Sequence, residues 1–568
     1  MKTLWRFLSP FITAFVIVSC AGQAPPPGGP EDTVPPQIIS VYPAPYTVFY
    51  ADKRIVFEFD EFVDRNSVRE SIFISPYIGE LEFDWSGKEV EIGFSAALRE
   101  NTTYVVNVGT DVRDLNRGNR MAQAFTLAFS TGAAIDRGAI TGTVYSIQRG
   151  EQATGVMMFA FQLNGMDRDT LDPKTSEPDY ITQTGANGTF FFRHLSLGWY
   201  RIIALRDEYR NFVYDPETDE YGLLQHDLEL TETDTLVSGL ELQLAKEDTT
   251  APRLVRILPI NGQLLTAEFS EPIDTSGIGP WNFAVVDTVS GDSLRVLAAS
   301  PRVPQRKEVM VVTEKQETGR GYSMSVSNVR DPVGLSISPL ANSLAFEGSG
   351  VPDTTVPFVR EMTFKDSLRG LPLDPVLLIL FSEPLKSVPW DSVVMFRDTL
   401  GRTLAVNGRW AGNAAIELKP SGFLTGMTWY KLAINAGMLS DIPGNTGKDT
   451  VLSYHIQTID PERFSGIEGR VLSAEGADTT GTVVIRAYDL RQKTVSGLQT
   501  IPGDGPFLFE RLVEGQYVLE AFRDRNRNGS YDPGSVFPFR PSERFTVYPD
   551  TLRLRARWPV EGVKIELR

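Results

Sequence analysis

The segment DRNRNGSYD places oxygen-bearing side chains at regular intervals along the 568-residue chain. If Asp524 is position one, Asn526 is position three, Asn528 is five and Asp532 is nine, and Gly529 stands at six. Carboxylate and amide oxygens are the ligands of hard cations, and a glycine at the sixth position permits the sharp turn of a calcium loop. The spacing therefore predicts a calcium-binding loop.

Two features favour a purely structural loop instead. Position twelve is Ser535, so the bidentate glutamate of a calcium loop is missing unless the fold returns Glu543 to this place. A second copy, DEYRNFVYD, keeps Asp207, Asn211 and Asp215 but has aromatic residues at positions three and six. A loop that persists without its ligands is also explained by turns held by Asx hydrogen bonds. Both interpretations stay open.

The single cysteine of the chain, Cys20, follows a basic and then apolar N-terminus. Lys2 and Arg6 precede the run FLSPFITAFVIV, which is shorter than the roughly 20 residues that span a bilayer. Such an arrangement is typical of a secretory signal. The prolines and glycines that follow, AGQAPPPGGPEDTVPP, predict an extended, disordered tether.

The residues Ile17, Val18, Ser19 and Cys20 resemble the lipobox of bacterial lipoproteins. The resemblance implies that residues 1–19 are a lipoprotein signal peptide, that Cys20 carries a diacylglyceryl group, and that residues 20–33 form the tether. Ile17 and Val18 stand where leucine and alanine or serine are commonest. The alternative is an ordinary secretory signal with a coincidental cysteine. With no other cysteine, the rest of the chain uses no disulfide or thiol chemistry.

Charge and motif content exclude several classes of function. The formal net charge of −17 argues against nucleic acid as a partner. The three histidines, His194, His226 and His455, are far apart and show no metal-ligand spacing. There is no P-loop, no G-x-G-x-x-G and no G-x-S-x-G motif. We therefore predict a protein without catalytic residues and without a required cofactor, calcium being the one candidate ion.

Two further groups of residues have a functional and a structural interpretation. Glu61, Glu271 and Glu383 recur in the phrases FDEF, FSEP and FSEP, and threefold recurrence favours a turn-fixing role over catalysis. Exposed tryptophans stack on sugars, whereas buried ones belong to cores. The tryptophans considered for sugar stacking are Trp199, Trp390, Trp410, Trp429 and Trp558.

Repeated segments of the sequence indicate the domains that position the candidate residues. Three segments open with DTVPP, DTTAP or DTTVP, continue through the glutamate phrase, and end in a tyrosine-led strand and a polar loop. Strands such as RIVFEF alternate, with Ile55, Phe57 and Phe59 on one face, which predicts antiparallel β-sandwiches. The repeats resemble the bacterial Ig-like domains of surface-layer proteins, including SbsA-like ones. The resemblance implies Ig-like domains at 34–133, 247–349 and 350–459.

A second repeat type lies between and after them. GTFFFRHLSLGWYRIIALRDEYRNFVYDP and GPFLFERLVEGQYVLEAFRDRNRNGSYDP align without a gap. The phrase F-x-F-x-x-L-x-x-G-x-Y resembles transthyretin-like and carboxypeptidase-regulatory-like domains, which are small β-sandwiches. The resemblance implies such domains at 136–246 and 464–568. The expected fold class is thus all-β, a tandem array of five antiparallel β-sandwiches after the signal peptide and tether.

These expectations combine into two hypotheses of function. The first is a non-enzymatic, lipid-anchored envelope protein whose sandwiches form a rod or spacer and present surfaces to a protein or glycan. The second is a carbohydrate-binding lipoprotein of an outer-membrane uptake system, which exposed tryptophans gathered on one domain would favour. The tether and Ig-like domain together resemble a lipoprotein group of the Bacteroidetes type, which implies the outer membrane and leaves its periplasmic or surface face open.

Overall fold

The computed structural model describes residues 32–568, apart from Tyr77, Gly79, Ser95, Ala96, Glu475 and Ala477. Cys20, the predicted signal peptide and nearly all of the predicted tether therefore lie outside the described residues. The chain divides into two compact units, residues 1–136 and 137–568, and each is described by itself. Within the described part, no helix combines the length and apolarity needed to cross a membrane.

The first unit is a sandwich of two antiparallel sheets, ordered β1-β2-β5-β4 and β3-β6-β7. The alternation read from RIVFEF is confirmed, because Ile55, Phe57 and Phe59 are fully buried in the core. The Asp64 side chain accepts the Asn66 backbone N–H and caps the short helix. The elements are β1 (Ile38–Tyr42), β2 (Arg54–Phe59), α1 (Arg65–Ser71), β3 (Ile72–Ser75), β4 (Leu81–Ser86), β5 (Glu89–Phe94), β6 (Thr103–Val108) and β7 (Phe125–Ser130).

The second unit begins with a sandwich over residues 138–246, here called sandwich B. One sheet has the order β10-β9-β12-β13-β16, with β14 also on β12, and the other has the order β11-β8-β15. The strands are β8 (Gly138–Tyr145), β9 (Met157–Gln162), β10 (Tyr180–Gln183), β11 (Thr189–Leu195), β12 (Gly198–Arg206), β13 (Glu220–Leu223), β14 (Leu228–Leu230), β15 (Leu236–Gln243) and β16 (Ala245–Lys246), with a 3₁₀ turn at Arg168–Thr170.

Sandwiches C and D follow, over residues 254–347 and 359–458, and each has two four-stranded sheets around its own core. Sandwich C contains β17 (Leu254–Pro259), β18 (Leu264–Phe269), a 3₁₀ turn (Pro280–Asn282), β19 (Phe283–Asp287), β20 (Ser293–Leu294), β21 (Val296–Pro301), β22 (Glu308–Thr313), β23 (Gly321–Val326) and β24 (Ser343–Glu347). Sandwich D contains β25 (Val359–Met362), β26 (Leu368–Leu371), β27 (Leu377–Phe381), α2 (Trp390–Val393), β28 (Val394–Asp398), β29 (Val406–Trp410), β30 (Ala415–Pro420), β31 (Trp429–Asn435), a 3₁₀ turn (Ala436–Met438) and β32 (Val451–Thr458).

Sandwich E closes the second unit over residues 464–567. Its sheets have the orders β36-β33-β40 and β35-β34-β37-β38, with β39 also on β37. The elements are a 3₁₀ turn (Pro461–Arg463), β33 (Phe464–Ser473), β34 (Thr482–Asp489), β35 (Thr494–Ile501), β36 (Gly505–Val513), β37 (Gly515–Asp524), β38 (Phe545–Val547), β39 (Leu552–Leu554) and β40 (Val560–Leu567). The all-β prediction is confirmed.

Three strand pairs depart from the expected antiparallel pattern. β15 runs parallel to β8, β40 parallel to β33, and β26 parallel to β32. In sandwiches B and E, the late strand lies along an edge of the first strand and satisfies backbone groups that an exposed edge would leave unpaired. Strand alternation is the same for parallel and antiparallel pairing, so the sequence pattern does not distinguish them.

Sandwiches B and E dock onto each other, although two other sandwiches separate them in sequence. The Tyr145 and Phe545 rings meet edge to face with centroids 5.9 Å apart. The Tyr221 hydroxyl donates to the Gly534 carbonyl at 2.8 Å, and the Arg201 guanidinium lies 3.6 Å from the centroid of the Phe539 ring. The second unit is therefore not a rod in which each sandwich contacts only its sequence neighbours.

Candidate functional site

Three clusters of carboxylates recur at equivalent places in the first unit and in sandwiches C and D. In each cluster, one carboxylate oxygen from each of three residues lies within 4.8 Å of the other two. Cluster 1 is Asp32, Glu61 and Asp114, cluster 2 is Asp248, Glu271 and Asp331, and cluster 3 is Asp353, Glu383 and Asp441. Each combines the aspartate of the opening DT phrase, the repeated glutamate, and an aspartate of the late polar loop.

The residue before each glutamate fixes the chain next to the opening aspartate. This residue makes two hydrogen bonds to the fifth residue after the opening aspartate. Its backbone N–H donates to the carbonyl of that fifth residue, and its side-chain oxygen accepts the backbone N–H of that fifth residue. The pairs are Asp60 with Gln37, Ser270 with Arg253, and Ser382 with Phe358, at 2.8–3.1 Å. We expected the glutamates themselves to fix this turn, but the hydrogen bonds assign that role to their neighbours.

A second backbone hydrogen bond brings the loop aspartate to the glutamate. The N–H of the third residue after the glutamate donates to the carbonyl of the residue before the loop aspartate. The donor and acceptor residues are Asp64 and Arg113, Asp274 and Arg330, and Lys386 and Ser440, at 2.7–2.9 Å. The three clusters therefore share one backbone framework.

Each loop aspartate is buried and bound by the N–H groups of its own loop. Asp331 is 2% exposed, and its Oδ1 accepts the backbone N–H groups of Val333, Gly334 and Leu335 at 2.6–2.9 Å. Gly334 has a φ of +105°, which a residue with a side chain rarely adopts. The loops at Asp114 and Asp441 make the corresponding bonds.

The electrostatics of the clusters act most clearly on the three glutamates. Burial, followed by repulsion from Asp353 and Asp441, raises the pKa of Glu383 to about 7. Burial and the neighbouring aspartates likewise raise the pKa of Glu61 and of Glu271. At Asp114, burial acts in the same direction, but hydrogen bonds from its loop outweigh it and the pKa is lowered.

Several oxygens in clusters 2 and 3 are buried without a hydrogen-bond partner. These are Oδ2 of Asp331, Oε1 of Glu271 and Oδ2 of Asp353. A buried polar atom without a partner costs about 1–3 kcal/mol. Oxygen-only ligand sets select hard cations such as Ca²⁺ and Mg²⁺, so the chemistry that this arrangement supports is cation binding.

The sequence contained the signal for these clusters, but we interpreted it only as a repeat. The six aspartates were not expected as site residues, and the glutamates were expected as turn residues. Each member recurs in all three repeats within a similar phrase. The missing information was the distance between the phrases in space, since the members of one cluster are up to about 90 residues apart in sequence.

The predicted calcium loop closes through its own hydrogen bonds. Asp524 accepts the N–H groups of Asn528 and Gly529 at 3.1 and 2.8 Å, and Asp532 accepts the Nδ2 groups of Asn526 and Asn528. The fold returns Glu543, which accepts the N–H groups of Arg525 and Asp532 at 2.7 and 3.1 Å. Calcium binding at Asp524, Asn526, Asn528 and Asp532 stays a prediction.

The second copy of this loop keeps the same hydrogen bonds with other residues. Asp207 accepts the N–H groups of Asn211 and Phe212 at 3.3 and 2.9 Å, and Asn211 Nδ2 donates to Asp215 at 2.8 Å. The residue at position six has a positive φ in both loops, +61° at Phe212 and +77° at Gly529. The Asp207–Asp215 loop therefore keeps the backbone geometry of the Asp524–Asp532 loop, although it lacks the regular spacing of oxygen ligands.

The candidate tryptophans do not form an exposed group among the described residues. Trp199, Trp390, Trp410 and Trp429 are partly buried, and Trp410 Nε1 donates to the Val388 carbonyl at 2.8 Å. The largely exposed tryptophans are Trp558 in sandwich E and Trp281 in sandwich C. The gathering on one domain that would favour carbohydrate uptake is thus not seen in the described part of the chain.

The docked sandwiches B and E enclose a cleft of about 610 Å³. Among its lining residues, Glu241 receives hydrogen bonds from Tyr145 of its own sandwich and from Thr546 and Val547 of sandwich E. Burial raises the pKa of Glu241 although these bonds and Arg568 lower it. Because its oxygens serve the docking, we assign Glu241 a structural role.

The comparison with family models identifies the Ig-like segments. The model of the bacterial Ig-like domain matches residues 32–131 and 353–456, which contain clusters 1 and 3. The expected resemblance to bacterial Ig-like domains is confirmed at these two segments and stays a prediction for residues 247–349. The protein is a multi-domain array of β-sandwiches that includes such domains. No curated protein matches the chain.

Several solved structures match this chain at low sequence identity and low TM-score. The N-terminal part of the bacterial S-layer protein SbsC is 13% identical with a TM-score of 0.16, covering 37% of this chain and 44% of that one. A longer SbsC structure is 11% identical with a TM-score of 0.17, covering 92% and 68%. The major pilin subunit BcpA of Bacillus cereus is 12% identical with a TM-score of 0.15, covering 76% and 99%. This chain thus spans less than half of the first of these proteins.

Proposed function

We propose that this protein is a non-enzymatic scaffold of the bacterial cell envelope, whose β-sandwiches present binding surfaces to a protein or a glycan. The observation that carries the proposal is the docking of sandwich B onto sandwich E. Side-chain contacts between residues more than 300 positions apart hold these sandwiches together, as Tyr221 with Gly534 and Arg149 with Glu520 illustrate. A scaffold requires such fixed surfaces, since rigid surfaces lose less conformational entropy when a partner binds.

The N-terminal sequence supports a lipid anchor. A diacylglyceryl group on Cys20 would fix the tether of residues 20–33 to the membrane. Two acyl chains give stable anchoring where a single chain is only marginal, because each buried methylene contributes about 0.8 kcal/mol. We propose the outer membrane as the location, on the resemblance of the tether and the first Ig-like domain to lipoproteins of the Bacteroidetes type.

Fractionation and protease shaving of intact cells test the anchor and its location. Wild type is compared with Cys20→Ser and with Ala21→Ser, a control that changes the neighbouring residue and keeps the thiol. We expect wild type and Ala21→Ser in the outer-membrane fraction and Cys20→Ser released from it. Retention of Cys20→Ser as firmly as wild type would refute the lipid anchor.

The shaving result then separates two forms of the scaffold. Cleavage in intact cells indicates a surface protein, for which adhesion or glycan capture is the working role. Protection in intact cells, with cleavage after permeabilisation, indicates a periplasmic protein with a role in assembly.

A further inference from the structure

The carboxylate clusters gather negative charge at short range. Basic residues act on them only from beyond ion-pair distance: Lys88 on Glu61, and Lys307 and Arg253 on Glu271. Among the described residues, none of the nine carboxylates forms an ion pair with a lysine, arginine or histidine. One carboxylate is buried in clusters 1 and 2 and two are buried in cluster 3, and carboxylates held this close repel each other unless a cation or a proton lies between them. The shared backbone framework nevertheless holds three of them together in three separate sandwiches.

A second observation points to a ligand at the clusters. The Asp331 side chain is 98% buried, since its exposed fraction is 2%, and loop N–H groups occupy its Oδ1 while Oδ2 has no partner. In the same cluster Glu271 Oε1 is also buried without a partner, and in cluster 3 so is Asp353 Oδ2. Backbone N–H groups thus orient Asp331 and Asp353 through Oδ1 and leave Oδ2 of each available in its cluster.

The geometry of the oxygens fits calcium. Oxygens bound to one calcium ion at about 2.3–2.6 Å lie at most about 5 Å apart, and the three ligand oxygens of each cluster are within 4.8 Å of one another. Magnesium demands octahedral geometry, keeps several waters and is usually held by one or two carboxylates. Three carboxylates from three separate segments are better suited to the larger and geometrically tolerant ion.

The opening aspartates of clusters 2 and 3 lie in the connections between neighbouring sandwiches. Asp248 lies in the connection between β16 of sandwich B and β17 of sandwich C, and Asp353 lies in the connection between β24 and β25. In both clusters, the other two carboxylates belong to the sandwich that follows. We propose that each cluster binds one calcium ion, and that the ion clamps the incoming connection to the sandwich it enters.

Calcium titration of the chelator-treated full chain tests the sites. The substitutions are Glu61→Gln, Glu271→Gln and Glu383→Gln, alone and combined, with Glu361→Gln as an exposed control on β25. The neutral amide keeps the shape and removes one crowded charge, so each variant should fold in chelator at least as stably as wild type. We expect each single variant to bind one calcium ion fewer than wild type and the triple variant three fewer, whether or not the Asp524–Asp532 loop binds calcium.

Limited proteolysis measures the clamp. Calcium should slow cleavage within residues 247–253 and 349–358 at least tenfold in wild type and in Glu361→Gln. Glu271→Gln should lose protection only at the first connection and Glu383→Gln only at the second. Equal calcium stoichiometry in wild type and the triple variant would overturn the proposed sites, and equal protection by magnesium would overturn the assignment to calcium. Unchanged cleavage with calcium bound at the clusters would overturn the clamp.

Discussion

Replacing Tyr145 by alanine should separate sandwiches B and E. Tyr145 ends β8 of sandwich B and is 8% exposed. Its ring belongs to a cluster made otherwise of residues of sandwich E, among them Val518, Phe522, Phe545 and Val547. Its hydroxyl also donates to Glu241 at 3.1 Å. The substitution therefore removes an aromatic ring from the interface and, within sandwich B, a hydrogen bond to Glu241, which itself contacts sandwich E.

The free energy that the docked state loses follows from the groups that each substitution removes. Truncation of a buried aromatic side chain to alanine costs about 3–5 kcal/mol. Tyr145→Phe keeps the ring and removes one hydrogen bond, which costs about 1–3 kcal/mol because the acceptor is a buried carboxylate. Since about 1.4 kcal/mol corresponds to a factor of ten, alanine should raise the population of the undocked form by roughly two to more than three powers of ten.

Hydrogen–deuterium exchange of the full chain reports this undocking. Tyr145→Ala should accelerate exchange in β38 (Phe545–Val547), which lies in the other sandwich, and Tyr145→Phe should do so less. Tyr209→Ala removes a 68% exposed aromatic ring from sandwich B and should leave β38 unchanged. If Tyr145→Ala alters exchange only within sandwich B, the docked interface does not stabilise sandwich E and the reasoning is refuted.

Three further predictions follow from buried charges and from one loop. Burial raises the pKa of Glu520, although Arg149 and Arg486 lower it. The stability that Glu520 contributes is therefore fully present below its ordinary pKa of 4.5 and declines as the pH rises through the folded-state pKa. Thermal unfolding should therefore show that the melting temperature of Glu520→Gln rises relative to that of wild type as the pH rises. Melting temperatures of the two proteins that change in parallel with pH would contradict this. Asp227 pairs with the buried Arg201 at 2.9 Å, so Asp227→Asn should lose about 3–5 kcal/mol in urea unfolding, whereas the exposed control Asp234→Asn should lose almost nothing. Gly529 has a φ of +77° with no atom near its missing side chain, so Gly529→Ala should cost about 1–2 kcal/mol through backbone strain alone; a cost near zero would show that the loop relaxes.

The local pattern of the sequence was sufficient for the fold class. In β2 and β7, apolar residues at every second position, such as Phe57, Leu127 and Phe129, are fully buried. Strand β12 is buried on both faces, since Tyr200 through Leu205 are all buried, including Arg201. Alternation reports such burial because successive side chains of a strand point to opposite faces.

The docking and the carboxylate clusters required the folded chain. Tyr145 and Phe545 are 400 residues apart, and contacts at that separation leave no periodic trace in a single sequence. Asp32, Glu61 and Asp114 each stand in a recognisable phrase, but only the backbone hydrogen bonds between those phrases bring the carboxylates together. Pattern reasoning therefore found the repeats and missed what the repeats assemble.

Mass spectrometry of the native N-terminal peptide tests the central claim, a lipid-anchored envelope scaffold, most directly. The protein is extracted from membranes, digested, and its N-terminal peptide is sequenced with its modification intact. We predict a peptide that begins at Cys20 and carries a diacylglyceryl group on Sγ. A peptide that begins elsewhere, or an unmodified Cys20 in protein from the membrane fraction, would contradict the account.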